Sequence, residues 1–272
     1  ISAPNSLCNR PPMFYVVGNL KMNMLSREEA LQYMTVLKRE IKERSFHHVK
    51  GILCPPFPYL YDFAALPAGI ECGAQDVFWE KSGAYTGEVS PLMLKNAGVT
   101  SVLIGHSERR VNQGETNEIV KMKVSAALKH LLVPIVCIGE TLEERESGDT
   151  TRVLELQVRS IFSGLSKLQA EKVIIAYEPR FAIGTDVLPT SQEILQVRVL
   201  LRKILTESFD AEVAERVTVL YGGSVKSSFL PEVSYEAGMD GVLVGRESLF
   251  PYEIVKMMTI LEEYAMEQES TH

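Results

Sequence analysis

A closed parallel (β/α)8 barrel of the α/β class is the fold this sequence predicts, and three observations predict it. Eight short runs of apolar and β-branched residues alternate with helical patterns along the whole chain. Several runs are apolar without interruption, as in Val133-Pro134-Ile135-Val136-Cys137-Ile138, which suits strands buried on both faces of a parallel sheet. Eight strand–helix units within about 250 residues suit closure into one barrel rather than an open doubly wound sheet. No Gly-x-Gly-x-x-Gly turn follows the first run, which removes the best argument for a dinucleotide fold.

The candidate strands are Phe14–Val17, Val49–Cys54, Ile70–Gly73, Ser101–Ile104, Val133–Ile138, Lys172–Tyr177, Val217–Leu220 and Asp240–Val244. Between them, Ser26-x-x-Glu29 and Thr190-x-x-Glu193 read as capping boxes that open helices. Leu31, Met34, Leu37 and Ile41 then share one helical face, as do Ile194, Val197, Leu201 and Ile204. Thr116–Leu131 and Thr150–Leu165 are also amphipathic. No linker interrupts the pattern, so residues 13–272 are expected to form one barrel domain. Residues 1–12 carry three prolines and no charged start leading into an apolar stretch, so they are expected to be an extension, or a remnant foreign to the protein, and not a signal peptide.

The chain has 272 residues and a net charge of −7, which argues against nucleic acid or an anionic membrane as partner. No apolar run approaches the roughly 20 residues of a membrane span. An acidic molecule has no long-range attraction for an anionic substrate, so a phosphate would have to be held by local positive charge and backbone donors. The four cysteines at 8, 54, 72 and 137 form no CxxC and no metal-ligand spacing, which points to reduced thiols and a cytoplasmic location. Cys54, Cys72 and Cys137 lie in apolar runs and are expected in the core.

In such a barrel the chemistry sits just beyond the C-terminal ends of the strands. There the sequence places Asn19 and Lys21 after strand one, His106-Ser107-Glu108 after strand four, Glu178 after strand six, Gly222-Gly223-Ser224 after strand seven and Gly245-Arg246 after strand eight. The set is chemically complete. A carboxylate can take a carbon-bound proton, an imidazole can polarise a carbonyl, an ammonium can balance negative charge, and glycine turns can offer N–H groups to phosphate. Singly, each residue has a bland reading as surface charge, turn or cap, and joint placement on one rim outweighs it. His106-Ser107-Glu108 also looks like the start of a zinc-deaminase signature, but no PCxxC follows. His47-His48 stand without a nearby carboxylate or cysteine in sequence, so no metal site is expected there; they are expected to cap the first helix. No Walker A motif is present.

From about Met13 to the last helix these residues resemble the triosephosphate isomerase family. The specific pieces are Gly-Asn-x-Lys-Met-Asn at 18–23, Gly-Ala-Tyr-Thr-Gly-Glu at 83–88, Ile-Gly-His-Ser-Glu-Arg-Arg at 104–110, Cys-Ile-Gly-Glu-Thr-Leu-Glu-Glu-Arg at 137–145, Ala-Tyr-Glu-Pro at 176–179 and Tyr-Gly-Gly-Ser-Val at 221–225. The resemblance, and not the residue spacing, implies a Glu base with a neutral His electrophile, the pairing for which this family is the standard example. It implies Glu178 as base, His106 as neutral electrophile and Lys21 with Asn19 on the substrate oxygens. Ser107, Glu108 and Cys137 would support them. Gly184, Ser224 and Gly245 would give N–H groups to phosphate, and residues 179–187 would form a lid. It further implies an aldose–ketose isomerase of glycolysis and gluconeogenesis, without cofactor or metal. It implies a homodimer, in which Thr86 of the 76–88 loop enters the partner's site; Val77, Phe78, Trp79 and Tyr85 give that loop an apolar load.

The sequence departs from the family pattern at Leu20, where Trp is usual, at Arg180, Phe181 and Asp186 of the lid, and at Arg246, where a second glycine is usual and where the side chain is expected beside the phosphate as a substrate-binding group. Barrel relatives that isomerise erythrulose phosphates carry a similar Gly-Arg pair. The resemblance therefore implies dihydroxyacetone phosphate and D-glyceraldehyde 3-phosphate as the substrate pair, with a four-carbon ketose phosphate as the alternative. A barrel that has lost catalysis and serves only in binding is disfavoured by the joint presence of Lys21, His106 and Glu178.

Overall fold

The computed structural model describes residues 13–180 and 189–270. Eight strands, β1 (Phe14–Asn19), β2 (Val49–Cys54), β3 (Ile70–Ala74), β4 (Ser101–Ile104), β5 (Val133–Ile138), β6 (Ile174–Tyr177), β7 (Thr218–Tyr221) and β8 (Gly241–Val244), pair in sequence order. Every pair is parallel, and β8 returns to β1 with Tyr15 opposite Gly241 and Gly18 opposite Val244, so the barrel closes. The closing seam needs glycine: Gly241 has φ +133, and a Cβ there would stand 2.0 Å from the Tyr15 carbonyl oxygen.

Around the barrel lie α1 (Arg27–Ile41), α2 (Leu60–Phe63), α3 (Pro91–Asn96), α4 (Ser107–Asn112), α5 (Asn117–Lys129), α6 (Leu142–Glu146), α7 (Thr150–Phe162), α8 (Lys167–Ala170), α9 (Ser191–Ser208), α10 (Ala211–Arg216) and α11 (Pro251–Ser270). Between β7 and β8 the chain makes only a 3-10 turn at Ser227–Phe229 and a wide turn at Pro231–Glu236. The alternation of each strand divides the core in two. Val17, Cys54, Leu103, Cys137, Ala176 and Leu220 fill the barrel. Val16, Leu53, Val102, Val136, Ile175 and Val219 face the helices. Cys54, Cys72 and Cys137 are buried free thiols; Cys8 lies outside the described residues.

Local chemistry explains where the element ends differ from expectation. β1 runs on to Asn19 because Gly18 and Asn19 still pair with Leu53 and Cys54. β6 begins only at Ile174, since Lys172 and Val173 still donate to Gln169 and Ala170 at the end of α8. Thr190 and Glu193 form the expected capping box. Ser26 caps α1 by accepting from the Glu29 N–H, but the Glu29 carboxylate takes the Leu25 N–H instead of closing the box. Two further boxes, Thr141/Glu144 and Ser166/Gln169, open α6 and α8. The buried face of α1 is Ala30, Tyr33, Met34, Leu37 and Ile41, while Leu31 is exposed. The expected stripe thus sat slightly rotated, because it chose the bulkier Leu31 over its neighbour Ala30.

His47 and His48 do not cap α1, which ends at Ile41. They meet α11: both backbone N–H groups donate to Glu262, and the His48 ring lies 3.1 Å from both the Glu262 and the Glu269 carboxylates. The carboxylates missing from their sequence neighbourhood arrive from the far end of the chain. No described helix is long and apolar enough to cross a membrane.

Candidate active site

The ends of β1, β4, β6, β7 and β8 bring the expected residues together on one rim. Glu178 follows β6, and its N–H donates to the Ile138 carbonyl of β5 at 2.7 Å, which aims the side chain inward. The side chain is buried, with Oε1 3.2 Å from His106 Nε2 and Oε2 3.4 Å from the Ser107 N–H. Two glycines make room for it. A Cβ at Gly222 would stand 2.7 Å from Glu178 Cγ, and one at Gly139 would stand 1.9 Å from the Glu178 carbonyl oxygen. Gln157 of α7 fixes Gly139 by accepting from its N–H at 2.9 Å and donating to its carbonyl at 3.1 Å. The Cys137 thiol lies against Glu178, and burial, followed by that carboxylate, pushes its pKa well up. It is packing, not a nucleophile.

His106 caps α4, and its Nδ1 accepts from the Glu108 N–H at 3.2 Å. The Glu108 carboxylate is 3.8 Å away, too far to compete. A ring accepting at Nδ1 carries its proton on Nε2, so the hydrogen-bond network assigns the neutral tautomer with Nε2–H toward Glu178. Lys21 Nζ pairs with Glu108, and a Cβ at Gly245 would stand 4.0 Å from that ammonium. A continuous series of contacts therefore runs Lys21, Glu108, His106, Glu178, with Gly245 near its first member and Gly222 near its last. Together they join the rims of β8, β1, β4, β6 and β7.

Asn19 is buried, with its Oδ1 accepting from the Lys21 N–H at 3.1 Å and its carbonyl accepting from Ser248 at 3.0 Å. Ser224 follows β7 and is half-buried. Arg246 is exposed, and no ion pair to Glu247 or any other described residue engages it. Arg180 is half-buried, and its N–H donates to the Glu140 carbonyl at 3.2 Å. Gly184, Phe181, Asp186 and the rest of the expected lid beyond Arg180 lie outside the described residues. Val77 of the 76–88 loop packs into the chain's own core, and Phe78 is buried with its ring against Trp79 and Tyr85 of the same loop, so half of that loop's apolar load needs no partner. Residues 80–88, Thr86 among them, are exposed.

Three features escaped the sequence reading. Gln75 donates from Nε2 to the carbonyls of both Lys21 and Cys54 at 2.9 Å. Arg110 donates to the Gly105 and Cys137 carbonyls and to Asn117, locking the loop that carries His106. Asp76, Arg109, Glu115 and Lys123 form a largely buried cluster of alternating charge. None carries a spacing signature, and Gln75 and Asp76 find their partners 54 and 47 residues away in sequence.

A family model described as triosephosphate isomerase matches residues 14–261. A triosephosphate isomerase from Dictyoglomus thermophilum is 46% identical over 218 residues, 78% of this chain and 88% of that one. The one from Alkaliphilus oremlandii is 42% identical over 236 residues, 86% and 94% of the two chains. The one from Thermoanaerobacter pseudethanolicus is 42% identical over 245 residues, 89% and 97%.

Proposed function

The chain belongs to the triosephosphate isomerase family, and from that premise we propose that it interconverts dihydroxyacetone phosphate and D-glyceraldehyde 3-phosphate through an enediolate. The observation that carries the reading is the pairing of Glu178 Oε1 with the His106 Nε2–H at 3.2 Å, with Nδ1 occupied by the Glu108 N–H. A base and a neutral hydrogen-bond donor thus face one point. Carbon cannot fit between atoms 3.2 Å apart, so the substrate separates them. Its C2 carbonyl oxygen takes the Nε2–H, and the freed carboxylate turns to C1.

Glu178 removes a proton from C1. The C–H pair becomes the C1=C2 bond, and negative charge moves onto the C2 oxygen, stabilised by His106 and by the Lys21 ammonium. The C1 hydroxyl proton moves to the C2 oxygen by way of His106, and Glu178 returns its proton to C2. The aldehyde forms at C1, and no cofactor is consumed. Asn19 orients Lys21, while Gly245, Ser224 and Gly184 serve the phosphate. The named relatives favour a triose over a tetrose substrate, and no ion pair of Arg246 among the described residues favours the reverse. The protein would act in glycolysis and gluconeogenesis in the cytoplasm, a location with which its buried free thiols are consistent.

We also propose a homodimer joined through the 76–88 loop. Exposed Tyr85 on that loop, with Met22 and Leu25 beyond β1 and Leu92 and Met93 on α3, leaves much apolar surface in water, and Thr86 stands in the exposed run that would enter the partner's site. The test is isomerisation of triose and tetrose phosphates side by side by purified protein, with light scattering at micromolar concentration. Absence of triose phosphate turnover would overturn the function, and a fully active monomer would overturn the assembly.

A further inference from the structure

The segment that carries Glu178 is laid on three residues beyond the end of β5. The Glu178 N–H donates to the Ile138 carbonyl at 2.7 Å, and the Arg180 N–H donates to the Glu140 carbonyl at 3.2 Å. The Tyr177 hydroxyl adds a bond to Glu140 Oε1 at 3.1 Å. These bonds continue the parallel ladder past the last paired residues, Ile138 and Tyr177. In such a ladder successive residues turn their polar groups to opposite neighbours. Residues 138 and 140 face β6, so the N–H and carbonyl of Gly139 between them face the β4 side. The pairing of β4 with β5 ends at Ile104 opposite Val136, short of Gly139.

A side chain completes the ladder there. Gln157 accepts from the Gly139 N–H at 2.9 Å and donates to its carbonyl at 3.1 Å. One primary amide presents the donor and the acceptor that a neighbouring strand would supply. Gln157 itself is buried, on the face of α7 that also carries Val153, Leu154, Val158 and Ile161, so packing of the helix fixes its amide. One step earlier, the Cys137 carbonyl is taken by Arg110 at 3.3 Å. Gly139 in turn has no slack against the base. Its Cβ position lies 1.9 Å from the Glu178 carbonyl oxygen and 2.7 Å from the carbonyl carbon, so the two backbones touch. Gly139 is buried, and a buried peptide without partners turns to find them. Any such turn is passed directly to the Glu178 backbone.

We propose that Gln157 is a positioning residue for the base: from the outer side of the barrel its amide replaces the strand missing beside Gly139 and so sets where the Glu178 carboxylate meets the substrate carbon. Gln157 touches no reacting atom and acts only through Gly139. Without its amide the 138–140 segment loses its hold on the β4 side, and the Glu178 backbone shifts with it. A displacement near 1 Å at the reacting centre costs on the order of 100-fold in rate, so even a partial shift is visible in kcat. The inference rests on the role of Glu178 in the isomerase reading.

The test introduces Gln157→Met, which keeps the side-chain length and removes the amide, into wild type, Glu178→Ala and Lys21→Ala, with kcat and KM for dihydroxyacetone phosphate. In wild type kcat should fall about tenfold or more with KM held within about twofold. The loss should shrink to less than about twofold in Glu178→Ala, since groups acting through one another do not add, and persist in Lys21→Ala. A misfolded fraction would lower kcat by the same factor in all three backgrounds, so equal losses, or a loss that lies in KM, would overturn the proposal. Gln157→Glu, which keeps the shape and in its ionised form loses the donor to the Gly139 carbonyl, is a second variant judged by the same comparisons. Wild-type protein inactive on triose phosphates would overturn the functional reading alone. Amide hydrogen exchange then decides the proposal without activity. Gln157→Met should speed exchange at the Glu178 and Arg180 N–H groups about tenfold and leave Val17 of β1 unchanged. Unchanged exchange at Glu178, or equal acceleration at Val17, would overturn it.

Discussion

The Asp76 carboxylate and the Arg109 guanidinium meet at 2.8 Å, and each is the chain neighbour of a residue that holds Lys21. Asp76 follows Gln75, which takes the Lys21 carbonyl; Arg109 follows Glu108, which takes the Lys21 ammonium. The two ends of one lysine are thus referred to a single buried cluster completed by Glu115 and Lys123.

That cluster makes Lys123→Met costly. Lys123 is buried, with Asp76 Oδ1 at 2.6 Å and Glu115 Oε1 at 2.5 Å. Removing it leaves two carboxylates facing each other with only the partly exposed Arg109 between them. Urea denaturation should show a loss of about 3 kcal/mol, in the range for breaking a buried ion pair. A loss below about 1 kcal/mol would mean that the cluster behaves as a surface network.

Gly222 and Gly139 separate activity from stability. A methyl at 222 meets the Glu178 side chain at 2.7 Å, whereas one at 139 meets the Glu178 backbone at 1.9 Å. Gly222→Ala should fold and lose on the order of 100-fold in kcat, as a displacement near 1 Å would cost. Gly139→Ala must push β5 from β6 and should lower the melting temperature before activity is considered. Glu178→Asp, which retracts the carboxylate from His106, should match Gly222→Ala in kcat.

His48 should make stability depend on pH. Burial works against its imidazolium, and the Glu262 and Glu269 carboxylates more than offset that, so its pKa is raised. Ring nitrogens facing a carboxylate on each side both donate only in the charged form. A folded pKa above the unfolded value of about 6.5 contributes stability that is complete below that pH and lost as pH rises through the folded pKa. The stability difference between wild type and His48→Gln should therefore be largest below about pH 6.5 and shrink at higher pH. A difference that grew with pH would contradict this arrangement.

Arg246→Gly should leave the ratio of triose to tetrose turnover unchanged, since the guanidinium is exposed and without an ion pair among the described residues. A direct phosphate contact would instead show as a tenfold or larger rise in KM, about 1.4 kcal/mol. Steady-state kinetics on both substrates distinguishes the two.

The barrel was legible in the sequence because burial on both faces leaves a contiguous apolar signal, and each of the eight runs became a strand within two residues at either end. Lys21, His106 and Glu178 were legible because strand-end residues share a rim whatever lies between them. Gln75 and Asp76 were not: their partners are 54 and 47 residues away in sequence. The same holds for His48 and Glu262, separated by 214. Leu31 misled for the opposite reason, since hydrophobicity alone ranks it above Ala30, and only packing shows which one faces the barrel.

The seam between β8 and β1 also sets an order of events during synthesis. Lys21 leaves the ribosome early, and Gly245, whose Cβ position lies 4.0 Å from its ammonium, emerges more than two hundred residues later. At about 5–20 residues per second, the nascent chain spends ten seconds or more with β1 lacking one neighbour. Contacts of such long sequence separation form late, so Lys21 meets the Gly245 rim only when the last strand docks.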